Sequence, residues 1–240
     1  MILKKIKKDN NNKNTQIYEQ YIFQSEEFNS LSKDEFKKQY SPNSKLLNLK
    51  EIHTEVIFGC RLSPRNFDSR GNKFEGWSKN QKRGNYDYDP PIGWIGIGLK
   101  VLEYLDYGDH TWIGNNNSEG EWAVAYHGVA RDQSSEDLKR IIKMIYNGGF
   151  KPGRAQAHLN CEDLNHKGCK VGVGVGFSPV IREAEDYSGI LNLNGIKYKT
   201  VIMVRIKPSA IRTCDCSSKT FIVNGNFDEV RPYRILLKKC

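Results

Sequence analysis

The side chains best suited to chemistry fall in the second half of the chain. A histidine followed by glycine, His127-Gly128, closes an apolar run from Trp122 to Tyr126. A glycine-spaced segment follows at Gly172-Val-Gly174-Val-Gly176-Phe177-Ser178, and Tyr187 lies just beyond it. Glycines at such spacing let a backbone approach a ligand or another strand closely. The segment lacks GxGxxG spacing and no long helix follows it, so it does not read as a dinucleotide loop.

Thiols and imidazoles form a second group. His158-x-x-Cys161 and His166-x-x-Cys169 supply four zinc-ligating residue types. Structural zinc usually draws on CxxC pairs held on tight knuckles, whereas Glu-Asp-Leu-Asn between these pairs reads as a polar loop. No metal is therefore expected, and a zinc set of His158, Cys161, His166 and Cys169 is the alternative. Cys214-Asp-Cys216 departs from the redox spacing CxxC and reads as neither a metal nor a redox pair. The six cysteines, irregularly spaced, read as reduced thiols.

The elements that must position these groups are legible in outline. Residues 1–50 form a Lys/Asn-rich basic arm, with too few large apolar groups at its start to offset the entropy of ordering, and 51–240 form a single domain. Glu51–Phe58, Ile95–Leu102, Trp122–Tyr126, Val171–Phe177, Tyr198–Ile206, Thr220–Val223 and Tyr233–Leu237 read as strands or buried apolar segments. Leu138, Ile141, Ile142 and Ile145 recur at helical spacing behind an N-cap at Ser134-Ser135, and Gly148-Gly149 ends the run. Glu183–Tyr187 reads as a short helix. Strands with few helices and no βα alternation imply an α+β fold with an antiparallel core.

Taken in order, His127-Gly128, a helix ending in glycines, the Gly172–Phe177 strand and Tyr187 resemble the catalytic domain of poly(ADP-ribose) polymerase-like (PARP-type) ADP-ribosyltransferases. The resemblance covers residues 121–240 and implies a split antiparallel β-sheet core with few flanking helices. It implies NAD as co-substrate, with His127 bonded to the adenosine ribose, the Gly128 backbone holding the nicotinamide amide, and Tyr187 stacked on the nicotinamide ring. Three positions depart from the family pattern. Gly176 stands where the Gly-x-Gly-Ile-Tyr-Phe strand has Tyr, Ala184 where a Ser bonds the amide, and Thr220 where the catalytic Glu precedes an aromatic-Ile-Val strand. Glu229 is the one candidate catalytic carboxylate nearby. The resemblance thus implies a mono-ADP-ribosyltransferase with a degenerate motif, or a pseudoenzyme of that fold. Pro91-Ile-Gly-Trp94, Gly120-Glu-Trp122 and Arg231-Pro-Tyr233 further resemble eukaryotic PARP-like proteins and extend the likeness upstream.

Composition bounds the alternatives. The chain has 240 residues and a net charge of +9, and no apolar run long enough to cross a bilayer. No apolar h-region follows the basic start, so an intracellular protein, cytoplasmic or cytoskeletal, is expected. Residues 1–120 carry 18 basic and 16 acidic side chains, and residues 121–240 carry 19 and 12. The excess is mostly lysine without arginine clusters, so sequence-specific nucleic-acid binding is not expected. An acidic protein partner suits the basic half, with Trp77, Tyr86, Tyr88, Trp94 and Trp112 as docking aromatics if they are not core. The second functional reading is accordingly a non-catalytic structural or binding component of a larger, for example cytoskeletal, assembly.

Overall fold

The computed structural model describes residues 73, 77, 82–100, 110–129, 149–153, 156, 158–193, 195–214 and 216–240. All of them belong to the unit Glu51–Cys240. The expected N-terminal arm, the strand at Glu51–Phe58 and the helix after Ser134 lie outside the described residues.

Apolar, β-branched runs build the core. Strand β7 (Ile196–Ile206) is buried almost continuously from Thr200 onward, as a run covered on both faces must be. It pairs antiparallel with β10 (Val230–Lys239) on one side and β4 (Ala123–Gly128) on the other. β3 (Ile95–Gly98) extends the sheet beyond β10, and β6 (Ile190–Leu193) pairs with the first residues of β7. Ile97, Tyr126, Ile202, Ile206, Ile235 and Leu236 are among its fully buried side chains. A smaller sheet has the order β5 (Val175–Phe177), β9 (Ser217–Val223), β8 (Arg212–Cys214). β1 (Lys82–Arg83) and β2 (Tyr86–Asp87) form a separate hairpin. One α-helix, α1 (Ile181–Asp186), stands among the described residues. The expected α+β class with an antiparallel core is what the strands form.

A backbone bridge joins the two sheets where β4 passes the residue after β5. Tyr126 and Ser178 exchange backbone bonds, N to O, of 2.8 and 3.0 Å. The fully buried Tyr126 hydroxyl donates to the Asp89 carbonyl, whose own amide donates to the Pro179 carbonyl at 2.8 Å.

The three tryptophan- and arginine-bearing motifs converge on packing. Pro232 lies beside a register shift in β10, where a residue without an N–H costs the ladder least. Arg231 there stacks on Trp122 and Trp112 at 4.5 and 4.9 Å from the ring centres. Arg205 stacks on Tyr233 at 5.3 Å and donates to the Trp122 and Ile113 carbonyls at 2.8 and 3.2 Å. Buried Glu121 accepts the Asn116 and Ser118 amides through Oε1, both at 2.8 Å. Its Oε2 lies 4.0 Å from both Arg83 and Arg205. Tyr88, Trp94 and Trp112 are buried, and Trp77 and Tyr86 pack partly buried against the same core. The aromatics considered for docking are core residues.

Candidate functional site

Four of the residues singled out for NAD contact come together beside the sheet junction. His127, on the last turn of the pleat in β4, reaches across to β5, where its Nδ1 bonds the Gly176 carbonyl at 2.9 Å. A carbonyl only accepts, so Nδ1 carries the proton and Nε2 presents a lone pair. The ring lies between Phe150 and Phe177, with centres 5.4 and 5.2 Å away. Burial lowers the imidazole pKa below its ordinary value, and the Gly176 bond partly opposes it.

Gly128 is fixed by close packing. A Cβ there would lie 2.3 Å from the Ala184 carbonyl oxygen and 2.7 Å from the Tyr187 Cβ. Only glycine lets the end of β4 pass the end of α1 at this distance. The approach sets Tyr187 beside Gly128, with its side chain projecting outward at 66% exposure. Gly176 contrasts with it. A Cβ there would meet nothing closer than Ile222 and Thr220 side-chain carbons at 3.8 Å. The position where the family carries tyrosine therefore has room for a side chain.

Glu229 sits in the connection between β9 and β10. Its two oxygens accept from the Asn224 backbone amide at 3.0 Å and the Asn224 side-chain amide at 2.8 Å. The same connection supports the histidine from behind, because Phe150 donates its amide to the Gly225 carbonyl at 2.8 Å. Glu229 thus braces the loop against which the His127–Phe150 pair rests. Thr220 lies in β9, next to the space at Gly176.

The thiols and imidazoles assemble differently from the sequence alternative. His158, Cys161, Cys214 and Cys216 place Nδ1 and three sulfurs within 4.8 Å of one another. Nδ1 of His158 lies 3.3 Å from the Cys214 sulfur and 3.4 Å from that of Cys216, and the Cys161 and Cys216 sulfurs are 3.0 Å apart. The Cys216 thiol pKa is pushed up by its hydrogen bond with Cys161. His158 and Cys161 belong to the set considered from sequence; His166 and Cys169 do not join it.

His166 instead bonds the buried Asp163 carboxylate at 2.6 Å, and Cys169 is exposed. Burial alone would raise the Asp163 pKa, but bonds from His166 and from the Asn165 and Thr213 amides outweigh it and hold the carboxyl below its usual value. The spacing of Cys214 and Cys216 is not CxxC and gives no local metal signal. The signal that finds them is a hairpin: Cys214 ends β8 and pairs with Ser217, the first residue of β9, so Cys216 lies in the short connection beside Cys214.

No family model matches the chain, and no curated protein matches its sequence.

Proposed function

We propose that this chain is a PARP-like ADP-ribosyltransferase-type protein that holds NAD beside the junction of the two sheets and is a poor or inactive transferase. The observation that carries the reading is the convergence of His127, Gly128, Gly176 and Tyr187 at the ends of β4, β5 and α1. In this reading Nε2 of His127 accepts from a hydroxyl of the adenosine ribose. The backbone at Gly128 holds the nicotinamide amide, and the outward ring of Tyr187 stacks on the nicotinamide.

Transfer breaks the bond between the ribose C1′ and the nicotinamide nitrogen. Nicotinamide leaves with the electron pair, and an acceptor nucleophile adds to C1′ and gives up its proton. The positive charge building on the ribose needs a nearby carboxylate. Thr220 cannot supply one, and both oxygens of Glu229 are engaged by Asn224. Binding without efficient turnover follows from this arrangement, and chain elongation is not expected.

Titration calorimetry with NAD tests the reading. The wild type should release heat on binding and His127→Ala should not. No heat from the wild type at millimolar NAD overturns the proposal. That outcome would favour a non-catalytic component of a larger assembly, presenting its basic half to an acidic partner. Where slow NAD hydrolysis is measured, Glu229→Gln decides the carboxylate: abolished turnover assigns it to Glu229, and unchanged turnover rejects that residue.

A further inference from the structure

The smaller sheet raises a question of what holds its outer edge. Beyond β9 the apolar cluster consists of Val171, Cys214 and Ile222, with Cys161 packed against it. The excursion from His158 to Val171 is mostly exposed, and Leu164 is 56% exposed. A core this small contributes little, and small units with little core are commonly fastened by disulfides or a metal. At this point the chain gathers three sulfurs and an imidazole nitrogen.

We infer that His158 Nδ1 and the sulfurs of Cys161, Cys214 and Cys216 form a structural zinc site that clamps the 158–172 excursion to the β8–β9 hairpin. Three thiolates and one imidazole are a ligand set that zinc takes in tetrahedral geometry. A zinc with Zn–S of about 2.3 Å and Zn–N of about 2.0 Å separates its ligand atoms by roughly 3.5–3.8 Å. The separations of 3.3 and 3.4 Å from nitrogen to sulfur lie near that range, and 3.0 Å between Cys161 and Cys216 lies below it. The 3.0 Å separation is also well beyond the roughly 2.0 Å of a disulfide bond. The whole set lies within 4.8 Å, so the four atoms surround one point, and metal binding would draw them to tetrahedral spacing.

The backbone has already placed both arms. The Cys161 amide donates to the His158 carbonyl at 3.1 Å, which makes one ligand turn, and the β8–β9 turn supplies the other pair. Cross-bonds hold the arms together independently of the ligands: Leu164 N to Thr213 O at 2.8 Å, and Thr213 N to Asp163 Oδ1 at 3.1 Å. Ligands fixed by their own fold lose little freedom on binding, which favours a site over a chance cluster. Four protein ligands close the coordination shell, so the zinc is structural rather than catalytic. Binding releases the thiol protons to solvent as each sulfur becomes a thiolate, so retention weakens as pH falls.

The site lies at the root of the glycine strand. Val171 donates its amide to the Cys161 carbonyl at 2.9 Å, and Gly172 to that of Leu159 at 3.1 Å. Clamping the ligand turn therefore fixes the residues that lead into β5, which carries the Gly176 carbonyl. The zinc inference stands without any reading of NAD, and its test does not use NAD.

The full chain, purified under reducing conditions from zinc-supplemented culture, is assayed for metal by mass spectrometry. The expected result is about one zinc per chain. Substituting cobalt should give the intense visible bands of tetrahedral cobalt together with thiolate-to-cobalt charge transfer. Cys216→Ser, at an exposed position, and Cys161→Ser should lose the metal, while Cys169→Ser should keep it. Should either ligand variant fail to fold, the charge-transfer intensity of the cobalt wild type still counts the thiolates. Wild-type protein without zinc overturns the proposal. So does equal loss from Cys169→Ser, or a native mass two hydrogens lighter with a Cys161–Cys216 disulfide.

Discussion

The two sheets solve the same problem by different means. The larger one surrounds β7 with a continuous apolar core and can afford a buried carboxylate and several guanidiniums, because each is answered by another group of the chain. Glu121 Oε1 takes two amides, and its Oε2 faces Arg83 and Arg205, which are otherwise bonded or stacked. The smaller sheet has three core residues at its outer edge and relies on polar fastenings: Asp163, Arg212 and the four soft ligands. Arg212 alone bonds the Val171 and Val173 carbonyls and the Asn224 side chain, at 2.6, 3.2 and 3.1 Å. Where apolar area is abundant, polar groups inside can be incidental to stability only if mutually paired; where it is scarce, they become the main fastening.

Removing Glu121 is the strongest way to break this comparison. Glu121→Ala leaves two buried guanidiniums without their countercharge, and the expected loss is about 3–5 kcal/mol in denaturant unfolding. A change within about 0.5 kcal/mol would show that Glu121 does not balance the two guanidiniums. Asp163→Ala tests the small sheet. It strips partners from the Thr213 and Asn165 amides and should cost about 1–3 kcal/mol.

The pH dependence of that loss sharpens the point. Because the folded-state pKa of Asp163 lies below its unfolded value of about 3.9, its contribution is fully present above that pH. The contribution disappears as pH falls through the folded value. Wild type and Asp163→Ala should therefore converge in stability on acidification below about pH 4, and parallel curves would reject the assignment. The smallest effect is expected beside the sheet junction. Gly176→Tyr fills the open position beside Thr220 and should tighten NAD by about 0.5–1.5 kcal/mol, the worth of one aromatic stack. Weaker binding in that variant would mean the space at Gly176 does not face the ligand.

Strand identities were readable because burial on both faces leaves a local trace. The run from Tyr198 to Ile206 is apolar enough to announce a central strand without knowledge of its neighbours. The alternation of glycine along Val171–Phe177 announces an unusual strand but not where its pairing begins, and only Val175–Phe177 pairs. β6 and β8 were not legible, since Ile190–Leu193 and Arg212–Cys214 are short and owe their extended form to the partner strand. The His127 pairing with Gly176 spans 49 residues, and nothing in either segment specifies the other.

The metal ligands divide along the same line. Sequence alone determined the supply of donors, His158 and Cys161 one turn apart and Cys214 and Cys216 flanking one residue, because residue type and spacing are local properties. Which donors meet was decided by tertiary structure. Asp163 takes His166 away from the cluster and holds Thr213 in its place, and the β8–β9 turn then brings two sulfurs from more than fifty residues down the chain. The strand order, the bridge between the sheets and the convergence of His127, Gly176 and Tyr187 are likewise tertiary. They depend on which apolar faces bury one another, and burial is a property of the whole fold rather than of any segment.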